Sequence, residues 1–390
     1  MLRNHRVVRA KENFLRSPSF FVKGVLTVAI AVVAICSPCR SGTGDKVTKA
    51  GAIKIPFQGQ LYHGVHASPS GPAVKMIEPD TIISYEHTVG KTAAWIDFTN
   101  DWSADRQFPA ETAKWVRRKG SVPYIRLMLP CASPDKSQSN PFILDTMLKG
   151  ALDNDIRRWA RDARDFGTPL IAEFGTEVNG EWYPWNGRWN GAAETKSYGD
   201  SSFPDGPERF RDAYRHLIVL VRREEALNIS WVFHVNYNDC PAESWNRFEN
   251  YYPGDDVIDM IGVSVYGAQF PLGIEWPEFS ELLDMIYPRI IKLAPGKPIL
   301  ISEFGVTRDN LRGSQSQWAQ RALTGLLNSC WPGIIGFAWW NKAWQNDSNP
   351  HHDTSMRVQD NPALAAVFRE LVGDNSRVLG TIDFVDRGSR

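Results

Sequence analysis

The chain has 390 residues, with 44 basic and 44 acidic side chains, so its formal net charge is zero. Hydrophobic residues make up 43% and charged residues 23%, which are globular proportions and exclude an intrinsically disordered chain. The balanced charge supplies no long-range field to attract nucleic acid, so we expect no nucleic-acid partner.

The first 37 residues are predicted to be an export signal or a membrane anchor. Six basic side chains and one acidic side chain precede a 13-residue apolar run from Gly24 to Cys36, and small residues follow. This order is typical of a secretory signal. The run is shorter than the roughly 20 residues that span a bilayer, but Phe20–Val22 could extend it. We therefore expect an exported protein, periplasmic or extracellular, and leave both cleavage and anchoring open.

A polar linker is predicted at residues 38–55, and eight short apolar stretches then alternate with helical patterns over residues 56–374. Short, β-branched, near-continuous apolar stretches are typical of strands buried on both faces. The pattern predicts one α/β domain, a (β/α)₈ TIM barrel, followed by a C-terminal tail at 375–390. The predicted strands are Tyr62–His66, Thr92–Phe98, Val122–Leu129, Pro169–Glu177, Ile229–Asn236, Ile258–Tyr266, Pro298–Phe304 and Ile334–Trp340.

Two glutamates close predicted strands that face each other across such a barrel. Glu177 ends strand four, and Glu303 lies near the end of strand seven. A charged side chain that closes a buried apolar strand is costly unless it is paired or functional. Each glutamate could form an ion pair with a neighbouring strand. Together they are suited to glycoside hydrolysis, in which one carboxylic acid protonates the leaving oxygen and one carboxylate attacks the anomeric carbon.

The residues around both glutamates resemble glycoside hydrolase family 26, whose members are mostly β-mannanases. The resemblance rests on the E-x-N-G-x-W-Y-P-W run from Glu177 to Trp185, on Tyr266 and on Ser302–Gly305. It implies that Glu177 is the general acid/base and Glu303 the nucleophile of a retaining double displacement.

The same resemblance implies roles for several aromatic side chains. Tyr266 is expected to hydrogen-bond the nucleophile. Trp182 and Trp185 are expected to stack on sugar rings, and Trp339 to lie beneath the cleaved sugar, with Trp340 as the alternative if the strand register differs. Each of these tryptophans could instead belong to the core.

Three positions depart from the family pattern. Thr176 replaces a histidine, Glu173 replaces an arginine, and the end of strand three lacks a histidine. The two-residue period of a strand turns Glu173 into the barrel, where we predict an ion pair with Arg126 on the adjacent strand. These departures leave the polymer open: β-1,4-mannan is the family default, and a β-glucan, a xylan or the cell's own exopolysaccharide are alternatives.

The remaining groups of candidate functional residues give weaker indications of a site. No nucleotide-binding glycine motif follows a strand, so no cofactor is expected. His351, His352 and Asp353 have no further ligand at useful spacing, so no metal is expected. His234 and Asn236 could contact substrate or fill the barrel. We expect a monomeric retaining endo-glycosidase acting on a β-linked polysaccharide; a transglycosylase and a non-catalytic carbohydrate-binding barrel remain the alternatives.

Overall fold

The computed structural model describes residues 51–66, 77–103, 105–128 and 143–386. Within these ranges eight parallel strands form a barrel, which is closed because the first strand pairs with both the second and the eighth. The predicted (β/α)₈ fold is therefore confirmed. The barrel strands are β1 (Leu61–His66), β2 (Trp95–Asp101), β3 (Val122–Met128), β4 (Leu170–Phe174), β5 (Ile229–Asn236), β6 (Met260–Tyr266), β7 (Ile299–Gly305) and β8 (Ile334–Trp340).

Helices pack around the barrel and bury their apolar faces against the outer side of the strands. The helix Asp153–Phe166, for example, buries Trp159 and is followed by Gly167, whose φ of 77° suits glycine just past a helix C-terminus. The described helices are α1 (Pro79–Val89), α2 (Ala110–Arg118), α3 (Ile143–Leu148), α4 (Asp153–Phe166), α5 (Asp205–Arg223), α6 (Phe279–Leu293), α7 (Gln315–Leu327) and α8 (Pro362–Phe368).

The barrel interior is apolar at one end and charged at the other. Trp95 fills the end where the strands begin, and Gly64 and Gly336 make room for its ring. A Cβ atom at Gly64 would lie 2.1 Å from the Trp95 ring, and one at Gly336 would lie 2.7 Å from it. Towards the ends of the strands the buried side chains include Arg126 and Glu173. The apolar end thus supports a polar site at the opposite, C-terminal face.

Both ends of the described chain contact the barrel or each other. Gly51–Ile53 pairs antiparallel with Phe384–Asp386, and Val378–Leu379 extends the sheet beside Leu61 and Tyr62. Parts of the predicted linker and tail therefore carry short strands. The predicted export segment lies outside the described residues, as does Cys131. No helix in the described part of the chain is long and apolar enough to cross a membrane.

Candidate active site

The chain leaves β4 through a turn that positions Glu177. The strand ends at Phe174, earlier than predicted, and Gly175 and Glu177 have φ values of 75° and 49°. A Cβ atom at position 175 would lie 2.2 Å from the Phe210 ring, so only glycine fits. A left-handed glutamate costs about 1 kcal/mol or more, and such strain is concentrated at functional sites. The side chain of Glu177 is buried.

Asn179 attaches this turn to the segment that follows β5. Its side-chain amide donates to the carbonyl oxygens of Asn236 and Asn238 at 3.0 and 3.1 Å and to Asp239 at 2.9 Å. Its side-chain oxygen accepts from the Asn236 backbone N–H at 2.8 Å. Asn236 therefore has a structural role here.

Trp182 contacts Glu177 directly. The Nε1 atom of Trp182 donates to Glu177 Oε2 at 2.7 Å, and the half-buried indole lies over Gly180. A Cβ atom at position 180 would lie 2.3 Å from that indole. The N-G-x-W part of the motif therefore has a physical meaning: glycine admits the ring, and the ring fixes the rotation of the carboxyl group.

Trp185 requires a correction. The structure buries it completely, with Nε1 donating to the Thr176 carbonyl oxygen at 2.9 Å and its ring stacked on Tyr183 at 4.4 Å between centroids. Neither face is available to a sugar, so Trp185 supports the turn that carries Glu177. The loop after β4 folds back on the barrel, and spacing along the sequence does not reveal such a return.

Glu303 lies near the end of β7 with both carboxylate oxygens engaged. Tyr266 at the end of β6 donates to Oε2 at 2.5 Å, which is the contact that the resemblance implies. Arg126 on β3 donates to Oε1. Burial raises the pKa of Tyr266, and the charges of Glu303 and Glu177 raise it further, because both carboxylates lie within its electrostatic range. Residues from strands three, four, six and seven therefore meet at one face.

Beneath Glu303 lies a buried charge cluster formed by Asp97, Arg126, Glu173 and His234. The predicted pair of Arg126 and Glu173 is present as a contact of 3.7 Å between Nε and Oε1. Arg126 lies closer to Asp97, at 3.2 Å, and to Glu303. Glu173 accepts hydrogen bonds from Tyr124 at 2.5 Å, from His234 at 2.9 Å, and from Thr176. One arginine is thus shared among three carboxylates.

The cluster keeps Glu173 ionised. Burial acts to raise the pKa of Glu173, but the charges of His234 and Arg126 outweigh it and lower that pKa to about 2. Burial likewise acts to lower the pKa of His234, and Glu173 outweighs it, so the pKa of His234 is raised. His234 is buried and also bonds Ser264 at 2.8 Å, so it fills the barrel.

This charge state makes stability depend on pH. The pKa of Glu173 in the folded protein lies below its ordinary 4.5, so its stabilising contribution is present above 4.5 and is lost as the pH falls towards 2. Between pH 5 and pH 3 we expect wild type to lose about 2 kcal/mol more unfolding free energy than Glu173→Gln, as measured by urea unfolding at each pH. The exposed Glu370→Gln variant should follow wild type. Equal pH slopes for Glu173→Gln and wild type would contradict the assignment.

Trp339 requires the second correction. It is fully buried, donates from Nε1 to the Met356 carbonyl oxygen at 2.6 Å, and packs on Phe304. The register alternative Trp340 is half-buried and faces the site. Its ring stacks on His66 at 3.7 Å between centroids and meets Tyr266 edge-on at 6.2 Å.

Three further site residues did not stand out in the sequence. Asp97 on β2 is buried and accepts a hydrogen bond from His66. Lys342, just past β8, is buried near Glu303; burial lowers its pKa to about 8 although the charge of Glu303 opposes the shift. Burial raises the pKa of Tyr183, and Glu177 and Glu303 raise it further, which places Tyr183 near both glutamates. A charged residue inside an apolar strand was the available indication for Asp97.

The described ranges contain no group of three or more His, Cys, Asp and Glu side chains arranged to hold a metal ion. His352 instead bonds Asp347 at 2.7 Å. Cys240 and Cys330 are free thiols.

Comparisons with known proteins agree with this architecture. The model of Glycosyl hydrolase family 26 matches residues 136–316. A curated relative, Endoglucanase H of Acetivibrio thermocellus, is 25% identical over 316 residues, which is 80% of this chain and 30% of the relative. The chain thus spans less than a third of that protein.

Solved structures show the same fold at low identity. A family 26 β-mannanase from Bacteroides ovatus has a TM-score of 0.53 and 15% identity, with 85% of this chain and 92% of that chain covered. An endo-β-1,4-mannanase from Cellulomonas fimi has the same TM-score and identity and covers 82% and 72%. The family match contains both glutamates, and the barrel agrees with it, so over residues 136–316 the chain resembles Glycosyl hydrolase family 26.

Proposed function

We propose that this protein is a retaining endo-β-glycosidase in which Glu303 is the nucleophile and Glu177 the general acid/base. The observation that carries the proposal is the pair of donors on Glu303, Tyr266 on Oε2 and Arg126 on Oε1. Donors on both oxygens suit a carboxylate that attacks with its negative charge, because they orient it and stabilise that charge.

In the first step a Glu303 oxygen forms a bond to the anomeric carbon as the glycosidic C–O bond breaks. Glu177 gives its proton to the departing oxygen, and Trp182 holds the carboxyl group in position. In the second step water attacks the same carbon, Glu177 takes a proton from the water, and the bond to Glu303 breaks. Two inversions leave the anomeric configuration unchanged.

For the polymer, we propose β-1,4-mannan first, because the structural relatives are described as mannanases. A β-glucan is the second candidate, because the curated relative is described as an endoglucanase. The residue before Glu177 departs from the family pattern, which also supports a β-glucan as the second candidate. Thr176 stands there in place of the family histidine, and its hydroxyl lies 3.8 Å from the sulfur of Met128 at the end of β3. We further propose export, on the strength of the basic and apolar N-terminal segment.

The test is reducing-end release from mannan, β-glucan, xylan and native exopolysaccharide by the wild type, with Glu303→Ala as the inactive control. Release from mannan that disappears in the variant is the expected result. Release from β-glucan alone would replace mannan as the substrate. Binding of a polymer without release would favour the carbohydrate-binding barrel and reject the hydrolase. A product of inverted configuration would reject the retaining mechanism.

A further inference from the structure

Trp189 is exceptional among the tryptophans of this chain. All 15 lie within the described residues, and Trp189 alone among them is exposed, at 43%. An indole is the largest apolar side chain, and leaving it in water forgoes the stabilisation that its burial would bring. Because binding residues are concentrated on loops that a rigid scaffold positions, an exposed tryptophan in a loop at the active-site face is a candidate for contact with a ligand.

The structure holds this exposed ring in one orientation. The Nε1 atom of Trp189 donates to the Glu181 carbonyl oxygen at 2.8 Å. The Asn186 side chain accepts from the Arg188 N–H at 2.9 Å, and the Asn190 amide donates to the Pro184 and Asn186 carbonyl oxygens at 2.9 and 2.8 Å. Because the loop and the indole are tied down before any ligand arrives, binding would cost little further ordering.

The position of the Trp189 ring indicates on which side of the scissile bond it would bind a sugar. Trp189 bonds to Glu181, and the next residue, Trp182, bonds to the carboxyl group of Glu177. Proceeding outward from Glu177, the chain therefore presents Trp182 and then Trp189. A general acid stands beside the oxygen that it protonates, which belongs to the departing part of the polymer. This order favours a position for Trp189 on the leaving-group side.

A polar group accompanies the ring. The guanidinium carbon of Arg188 lies 5.4 Å from the centroid of the Trp189 ring, and Arg188 forms an ion pair with Glu181. Both the Trp189 indole and the Arg188 side chain reach solvent, and half of the Arg188 side chain is exposed. The guanidinium lies over one face of the indole, so a pyranose, whose C–H faces are apolar, would stack on the opposite face.

We propose that Trp189 is the stacking platform of a binding subsite for a pyranose ring of the departing polysaccharide segment, distal to the sugar beside Trp182. The proposal rests on the proposed function and deepens it. It makes the enzyme favour long chains, because only a polymer extends far enough on the leaving-group side to reach Trp189.

The experiment compares Trp189→Ala and Trp189→Phe on two substrates: the polymer cleaved by the wild type and a nitrophenyl β-disaccharide of the same sugar, which has no sugar on the leaving-group side. We expect Trp189→Ala to lower kcat/KM on the polymer about fivefold and to change it less than twofold on the nitrophenyl substrate. Phenylalanine should restore most of the loss. The control is Phe57→Ala: Phe57 is 74% exposed, but it precedes β1 at the opposite end of the barrel.

An equal loss on both substrates would overturn the proposal, because it would indicate a general effect on the fold or on catalysis. Unchanged cleavage of the polymer would also overturn it. Titration of the polymer into Glu303→Ala with and without Trp189→Ala separates this inference from the proposed function. If wild type releases no sugar but affinity still falls about fivefold on loss of Trp189, the platform stands and the hydrolase fails. Unchanged affinity would reject the platform.

Discussion

Replacing Glu303 by alanine is expected to lower kcat/KM on a nitrophenyl β-glycoside about 10⁴-fold, the scale of loss when a residue of a covalent mechanism is removed. The bond from Glu303 to the anomeric carbon can no longer form, and neither Tyr266 nor Arg126 can replace the carboxylate. Added azide should restore part of the rate, because the small anion fits the space of the missing side chain. Azide then attacks from the side of Glu303, so the product is the α-glycosyl azide.

Glu177→Ala is the matched variant. Nitrophenolate leaves without a proton, so the first step should survive, and the glycosyl-enzyme should accumulate because no base activates water. Azide attacks that intermediate from the side opposite Glu303 and should give the β-glycosyl azide. The anomers are read by NMR, with thermal unfolding curves to show that both variants fold. The same anomer from both variants would reject the assigned roles, and so would wild-type activity in Glu303→Ala.

Arg126→Met is expected to destabilise the protein by about 3–5 kcal/mol, as measured by chemical unfolding at pH 7. Arg126 lies 3.2 Å from Asp97 and 3.7 Å from Glu173, and it donates to Glu303. Methionine keeps most of the volume but leaves these three buried carboxylates without their shared cation. Activity should fall as well, since one of the two donors to Glu303 is lost.

Arg126→Lys and Arg161→Met provide the comparison for that result. Lysine retains the charge but not the planar fork, so an intermediate loss of stability is expected. Arg161 pairs with Glu224 on the surface with 47% of its side chain exposed, and its removal should cost no more than about 1 kcal/mol. If Arg126→Met left both stability and activity unchanged, the account of the buried charge cluster would be wrong.

The predictions from sequence succeeded where the pattern is local and repeated. Eight apolar stretches predicted eight strands, and each is present in the barrel. A short β-branched stretch in a parallel sheet is apolar because both of its faces are buried, so its composition carries the information. The contact between Tyr266 and Glu303 is the one that the resemblance to family 26 implied.

The errors occurred where one residue of register, or one turn, decides which way a side chain faces. Trp339 and Trp340 are equally aromatic, but adjacent residues of a strand face opposite sides, and only Trp340 faces the site. Glu177 was expected to continue the alternation of β4. The left-handed residues Gly175 and Glu177 end that alternation, and position 175 must be glycine because Phe210 packs against it.

The sequence by itself determined the barrel, the glutamates at the ends of strands four and seven, and the aromatic segment after Glu177, because each follows from residue type and spacing along one strand or loop. Only the tertiary structure decided that Arg126 is shared by three carboxylates, that Trp185 is buried and that Trp189 is exposed. Those outcomes depend on which side chains from distant segments compete for the same donors and the same space, and spacing along the chain does not contain that information.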